Sequence, residues 1–225
     1  MFISLTYPLA EDTPIFGNNP KIKFEPLKRI SKGDVSNVTM CHLITHHGTH
    51  MDAPFHFNPE GITIDELSLD DYIFTRPKLI DVRNRPGPVV DRSDIEPFFK
   101  KDDDSDLLLV FTGASLQRES NPDVYMLHYS PFTVEAAKFI IEETSLRGLA
   151  MDFGCVDLAE DIFAGESPVH NVLLGRRGAS SRGIPLIEDV NLFPLLGKTI
   201  KRVFAIPLPL KGLDGSPANI FAEVE

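Results

Sequence analysis

Five of the chain's seven histidines fall within fifteen residues, from His42 to His56. The densest stretch reads His46-His47-Gly48-Thr49-His50-Met51-Asp52-Ala53-Pro54-Phe55-His56-Phe57. His46 and His50 have the i, i+4 spacing that would place them on one helix face. Gly48-Thr49 lies between them, however, a β-branched run precedes them and Pro54 follows, so a helix is the poorer solution. No Glu follows His46, so the zinc-protease helix pattern is absent. In an extended chain His50, Asp52, Pro54 and His56 fall on one side. Gly48 admits backbone angles closed to other residues, so the chain can turn and return His46 to the same point. Imidazole and carboxylate are the donors that borderline cations such as zinc take. His46, His50 and Asp52 are therefore read as converging metal ligands, with His56 a few ångströms further along. His42 and His128 are read as bystanders. His47, facing away from His46, is at most a donor behind the ligands.

The rest of the pattern describes a layered domain. Phe2 to Leu9 reads as a first strand, and the stretch to about Gly33 as loop. Val38, Met40, His42, Ile44 and His46 alternate with Thr39, Cys41, Leu43 and Thr45, which predicts a strand running into the cluster. Pro77–Arg83, Leu107–Thr112, Leu146–Phe153 and Ile200–Pro207 read as further strands. Leu107–Thr112 is apolar almost throughout, as in a central strand covered on both faces. Ser93-Asp94-Ile95-Glu96 resembles a capping box, and Thr133–Thr144 has the apolar spacing of a helix. Strands alternating irregularly with helices indicate an α/β or α+β fold. The acidic run Asp102 to Asp106 lacks the glycine and terminal glutamate of a calcium loop and reads as a solvated turn.

Several function classes are excluded or disfavoured. Lys and Arg number 22 against 33 Asp and Glu, a formal charge of −11, which argues against nucleic acid as a partner. Two cysteines without a CxxC make neither a disulfide framework nor a Cys-rich zinc site. Cys155 reads as a small buried residue, and no G-x-S-x-G nucleophile turn occurs. The first residues, with no basic segment and an apolar run broken by Thr6 and Pro8, make a poor signal peptide. No window suits a membrane span. The expected location is the cytoplasm.

The segment from His46 to Phe57 is similar to the H-x-G-T-H-x-D-x-P-x-H-F signature of the cyclase-like metal hydrolases, the family of bacterial kynurenine formamidase (arylformamidase) and isatin hydrolase. The resemblance continues through Thr13-Pro14-Ile15-Phe16-Gly17, Gly148 to Asp157, His170-Asn171-Val172-Leu173-Leu174, Ile184-Pro185-Leu186-Ile187-Glu188 and Leu213-Asp214-Gly215-Ser216-Pro217-Ala218. It implies a layered β/β/α swivelling-type domain with mixed sheets, the cyclase fold, spanning residues 1–225. It implies a homodimer or homotetramer in which a neighbouring subunit helps to close the pocket. It also implies that His46, His50 and Asp52 bind one metal ion, and that Asp52 bridges to a second held by His170 and Glu188. His56 would be the catalytic acid/base and Phe16 a substrate contact. By spacing alone His170 and Glu188 carry little weight, and Glu188 would read as a helix-start charge.

The activity implied is hydrolysis of a C–N amide bond, of the arylformamidase type. It would use water activated by zinc (one or two ions, with manganese as the alternative), and His56 would protonate the departing nitrogen. A ring-opening cyclic amidase of the isatin hydrolase kind and a non-catalytic metal-binding module are the alternatives. Two departures bear on the substrate. The Gly175–Gly183 loop is longer than in the formamidases. Phe16 stands where kynurenine formamidases tend to place a Trp, and the chain has none.

Overall fold

The structure, a computed structural model, describes residues 1–175 and 183–225. Its strands are β1 (Phe2–Ser4), β2 (Lys23–Lys28), β3 (Val38–His42), β4 (His50–Asp52), β5 (Ile73–Phe74), β6 (Pro77–Asp81), β7 (Leu107–Phe111), β8 (Leu149–Met151), β9 (Leu186–Glu188), β10 (Ile200–Pro207) and β11 (Gly215–Val224). The helices are α1 (Arg92–Ile95), α2 (Pro122–Leu127), α3 (Val134–Glu143), α4 (Ala159–Phe163) and α5 (Pro168–Leu173). Nine strands form one sheet in the order β5-β10-β11-β4-β9-β8-β7-β6, with β1 also paired to β11. β6 to β9 run parallel, and the pairs β9–β4, β4–β11, β11–β10 and β10–β5 are antiparallel.

Side chains of β7 divide between two cores, as alternate residues on a strand must. Leu108 and Val110 join Ala136, Ala137 and Ile140 of α3 and Leu173 of α5. Leu107, Leu109 and Phe111 join Val203 and Ala205 of β10 and Ile220 and Ala222 of β11. The sheet therefore curls so that its antiparallel half covers one face of its parallel half, while helices cover the other. This is the β/β/α layering and mixed α+β class implied by the resemblance. All five residues of β7 are fully buried, each side chain stabilising the fold by about 1.5–3 kcal/mol.

α3 begins at a cap: Thr133 Oγ1 accepts the Ala136 N–H at 3.1 Å. The capping box expected at Ser93-x-x-Glu96 lies two residues earlier. Asp91 is the cap of α1, and Asp94 accepts the Asp91 N–H at 2.9 Å. Ser93 lies inside α1, which passes directly into a 3-10 turn at Glu96–Phe98.

Other expectations are corrected. The first strand ends at Ser4. The stretch before Gly33, read as loop, contains β2, which among the described residues pairs only with β3. β3 stops at His42 and every residue of it is exposed, so its alternation marks a hairpin arm and not a strand delivering the cluster. The acidic run is only partly solvated. Asp106 is 2 % exposed and accepts the Thr75 and Arg76 N–H groups at 2.8 and 2.9 Å, stapling the start of β6. The loop 176–182 lies outside the described residues. No helix among the described residues is long and apolar enough to cross a membrane.

Candidate metal centre and active site

Strand alternation and cross-strand register assemble the centre of the site. Met51 points into the core beneath β10 and β11 and Ile187 does the same, so His50 and Asp52 on β4 and Glu188 on β9 project from the opposite face. β4 and β9 pair with His50 opposite Glu188. His50 Nε2 lies 3.2 Å from Asp52 Oδ1 and 3.5 Å from Glu188 Oε2. The expected turn before β4 is present, with Gly48 at φ 63°. It brings His46 Nδ1 to 2.8 Å from Asp52 Oδ1. The extended reading fails beyond Asp52. Pro54–His56 forms a 3-10 turn, because Pro54 suits the first position of a helical turn. That turn folds His56 back until its ring stacks on His46, with centroids 3.9 Å apart.

His170 arrives from α5. Its Nε2 is 3.9 Å from Asp52 Oδ2 and 4.0 Å from Glu188 Oε1. His46, His50, Asp52, His170 and Glu188 are thus brought together, with Asp52 at the centre. Ligand atoms of His46, Asp52 and His56 lie within 4.8 Å of one another, and so do those of His50, Asp52 and Glu188. Asp52 belongs to both groups, as a bridging carboxylate would. The grouping nevertheless places His46 with His56 and His50 with Glu188, a different division from the one the resemblance implies.

Two imidazoles have their tautomers set by hydrogen bonds on the far side. His50 Nδ1–H donates to Gly48 O at 2.8 Å. His170 Nδ1–H donates to Asp157 Oδ2 at 2.6 Å, and Asp157 also accepts the Val169 and His170 N–H groups at 2.7 and 3.1 Å. Both rings therefore aim a bare Nε2 at the carboxylates, the arrangement of metal-binding histidines.

The electrostatics are unbalanced in a way that a cation corrects. Asp52 and Glu188 are 1 % and 3 % exposed, and among the described residues neither pairs with Lys or Arg. Burial opposes the charged form of Asp52, but His46 and His56 outweigh it and hold this carboxyl well below the usual range. Burial and the Asp52 charge push Glu188 well above its ordinary value. Glu188 Oε1 is buried with no hydrogen-bond partner among the described residues. Burial works against a charged His46, yet Asp52 and Asp214 raise it to about 10, so a proton occupies the position of positive charge. Unpartnered buried acceptors of this kind are rare and costly. Nitrogen and oxygen donors closing on one point fit a divalent cation.

Two further residues received no role from sequence. Asp157 is one. Asp214 is the other: its Oδ2 accepts from His46 Nε2 at 2.7 Å and from His56 Nδ1 at 3.1 Å. Both histidines hold the Asp214 carboxyl far below the ordinary range. The adjacent Gly215 permits this approach, since a Cβ there would stand 2.9 Å from His46 Cε1 and 2.7 Å from Met51 O. Burial lowers the pKa of His56, despite Asp52 and Asp214, which favours the neutral ring.

The histidines open onto a cavity of about 570 Å³. Phe16, Phe57 and Phe163 contribute to its walls, and the Phe16 and Phe163 rings lie 5.4 Å apart. Phe57 stacks on His170 with centroids 4.2 Å apart. Cys155 also lines the cavity, but it is buried. Burial raises its thiol well above the ordinary value, which disfavours a thiolate nucleophile. His47 is buried, accepts the Ile44 N–H at Nδ1 (3.1 Å) and takes no place among the converging donors. His42 is exposed beside Glu25.

Comparison with known proteins agrees with this geometry. Across 97 % of its length the chain is 26 % identical to kynurenine formamidase of Bacillus anthracis, covering 95 % of that protein. It superimposes on isatin hydrolase A from Ralstonia solanacearum with a TM-score of 0.81 at 20 % identity, covering 100 % of this chain and 92 % of that one. A potential metal-dependent hydrolase with cyclase activity gives a TM-score of 0.73 at 23 % identity, covering 99 % and 96 %. Residues 3–158 match the family model described as "Putative cyclase". The chain belongs to that family.

Proposed function

We propose that this protein is a metal-dependent hydrolase of a carbon–nitrogen amide bond, of the arylformamidase type. One observation carries the reading. Among the described residues, a Glu188 oxygen without a hydrogen-bond partner and the Asp52 carboxylate are buried together with no Lys or Arg beside them, where three imidazoles converge. His46, His50, Asp52, His170 and Glu188 would hold the metal. A divalent cation there supplies Lewis acidity, polarising a carbonyl and bringing the pKa of water toward 7. Zinc, as one or two ions, is the proposed cation and manganese the alternative, because imidazole with carboxylate suits both.

The remaining steps fall to the chain's own residues. The aromatic walls at Phe16, Phe57 and Phe163 take the flat apolar part of a substrate and keep bulk water away. Asp214 accepts the His56 Nδ1 proton, leaving Nε2 as the atom that moves protons. In its neutral form, the His56 ring can take a proton from the attacking water and deliver it to the amide nitrogen, which cannot depart unprotonated. The kynurenine formamidase relatives support an aryl formamide as substrate, and the fold shared with isatin hydrolases keeps a cyclic amide in view. Cytoplasmic location and a homodimer or homotetramer belong to the same reading, and are testable by cell fractionation and light scattering.

The deciding experiment is turnover of N-formylkynurenine against isatin and simple formamides by protein reconstituted with zinc or manganese. Hydrolysis of the aryl formamide is the expected result. Turnover of isatin alone would move the assignment to ring-opening hydrolysis. Bound metal with no turnover of any substrate would make the protein a metal-binding module.

A further inference from the structure

Beside the metal centre lies a second buried charged cluster, centred on Asp189 at the cavity wall, that none of the steps above uses. Arg118 donates from Nε to Asp189 Oδ1 and from Nη2 to Asp189 Oδ2, both at 2.6 Å. Each side chain is 7 % exposed. The Tyr125 hydroxyl donates to Asp189 Oδ1 at 2.5 Å, and the guanidinium lies over the Tyr7 ring, 4.0 Å from its centroid. The backbone of Asp189 is gripped as well. Its N–H donates to Phe153 O at 2.9 Å, and its carbonyl accepts the Thr49 hydroxyl at 2.6 Å. Asp189 is held in the left-handed region at φ 54°, a conformation uncommon for residues with a Cβ and taken among them mostly by Asn and Asp.

Asp189 follows Glu188, and Thr49 precedes His50. Glu188 and His50 are the cross-strand pair whose side chains meet at the metal centre. The cluster thus ties together, at one point, the backbones of both strands immediately beside the converging donors. A buried ion pair contributes little net stability compared with apolar packing of the same shape, whereas a two-pronged contact fixes position closely.

We propose that Arg118 and Tyr125 are positioning residues of the metal centre: acting through Asp189 and Thr49, they hold Glu188 and His50 at the separation a divalent cation requires. This rests on the metal-centre reading above. The test is zinc affinity of the full-length protein, measured by competition with a chromophoric chelator, for wild type, Arg118→Lys and Tyr125→Phe, beside the thermal midpoint of each metal-free protein. A lysine keeps the charge but cannot make the two-pronged contact, so R118K is expected to bind zinc about 10–100-fold more weakly. Y125F, which loses one hydrogen bond, should weaken binding in the same direction by a smaller factor. Lowered midpoints with unchanged zinc affinity in the folded protein would overturn the proposal, since that is what a purely structural cluster predicts. If R118K does not fold, Y125F decides by the same criterion. A wild-type protein that binds no zinc overturns the metal-centre reading itself, and this proposal with it.

Discussion

Asp214 Oδ2 stands 3.1 Å from His56 Nδ1, and the same oxygen is 2.7 Å from His46 Nε2. One carboxylate thereby sets the tautomer of the proposed proton carrier and braces a proposed ligand. Asp214→Asn keeps the shape but offers an amide in place of an acceptor-only group. It is expected to lower kcat by about 10–100-fold, the usual effect of removing such a support, with a smaller change in KM. Steady-state kinetics on an aryl formamide checks this, and an unchanged kcat would remove Asp214 from the mechanism.

His56→Ala separates proton transfer from metal binding. Loss of a general acid/base costs about 10²–10⁴-fold in turnover, while zinc content by elemental analysis should stay at the wild-type level. Equal loss of metal and turnover would make His56 a ligand, a role its nearness to His46 and Asp52 leaves geometrically open.

The first half of this site is legible in the sequence because its residues are close along the chain. Gly48 marks the turn, and period-2 alternation places His50 and Asp52 on one face. His56 is legible as a residue but not in its path, since Pro54 starts a 3-10 turn where the pattern suggests extension. Asp157 and Asp214 are two of 33 acidic residues; both lie in segments that carry the family resemblance, but neither spacing nor resemblance gave them a role. Asp157 acquires its role by accepting the N–H groups that open α5, and Asp214 by a strand pairing that sets Gly215 opposite Asp52. Glu188 becomes meaningful only once β9 lies against β4. In the fold, the apolar run of β7 announced its burial on both faces, whereas the alternation of β3 did not announce its exposure. A hairpin arm and a half-buried strand share one pattern until their neighbours are known.

Gly48→Ala probes the turn. The residue would keep φ 63° with a Cβ placed 2.5 Å from Leu9 Cδ2. The left-handed conformation alone costs about 1–2 kcal/mol with a side chain, and Leu9 must also shift. Denaturant unfolding should show destabilisation of at least that size. A variant as stable as wild type would mean the turn is not constrained.

Asp103 offers a pH test remote from the site. Burial tends to raise its pKa, but Lys78 Nζ at 2.5 Å and the Ser105 donors outweigh it and hold the carboxyl below its ordinary value. A depressed folded pKa stabilises fully above the unfolded value of about 3.9, and this contribution is lost as pH falls through the folded value. Asp103→Asn should therefore cost a few tenths to about 1 kcal/mol at pH 7, and the gap from wild type should close below about pH 3.9. A gap constant with pH would assign the effect to packing.

Metal removal is the most direct measurement. Protein stripped with a chelator and assayed on N-formylkynurenine and related aryl formamides should be inactive. Activity should return on adding zinc or manganese, saturating at one or two ions per chain, as expected from the convergence of donors around Asp52. Full activity in the stripped protein, confirmed metal-free by elemental analysis, would contradict a metal-dependent hydrolase built on His46, His50, Asp52, His170 and Glu188.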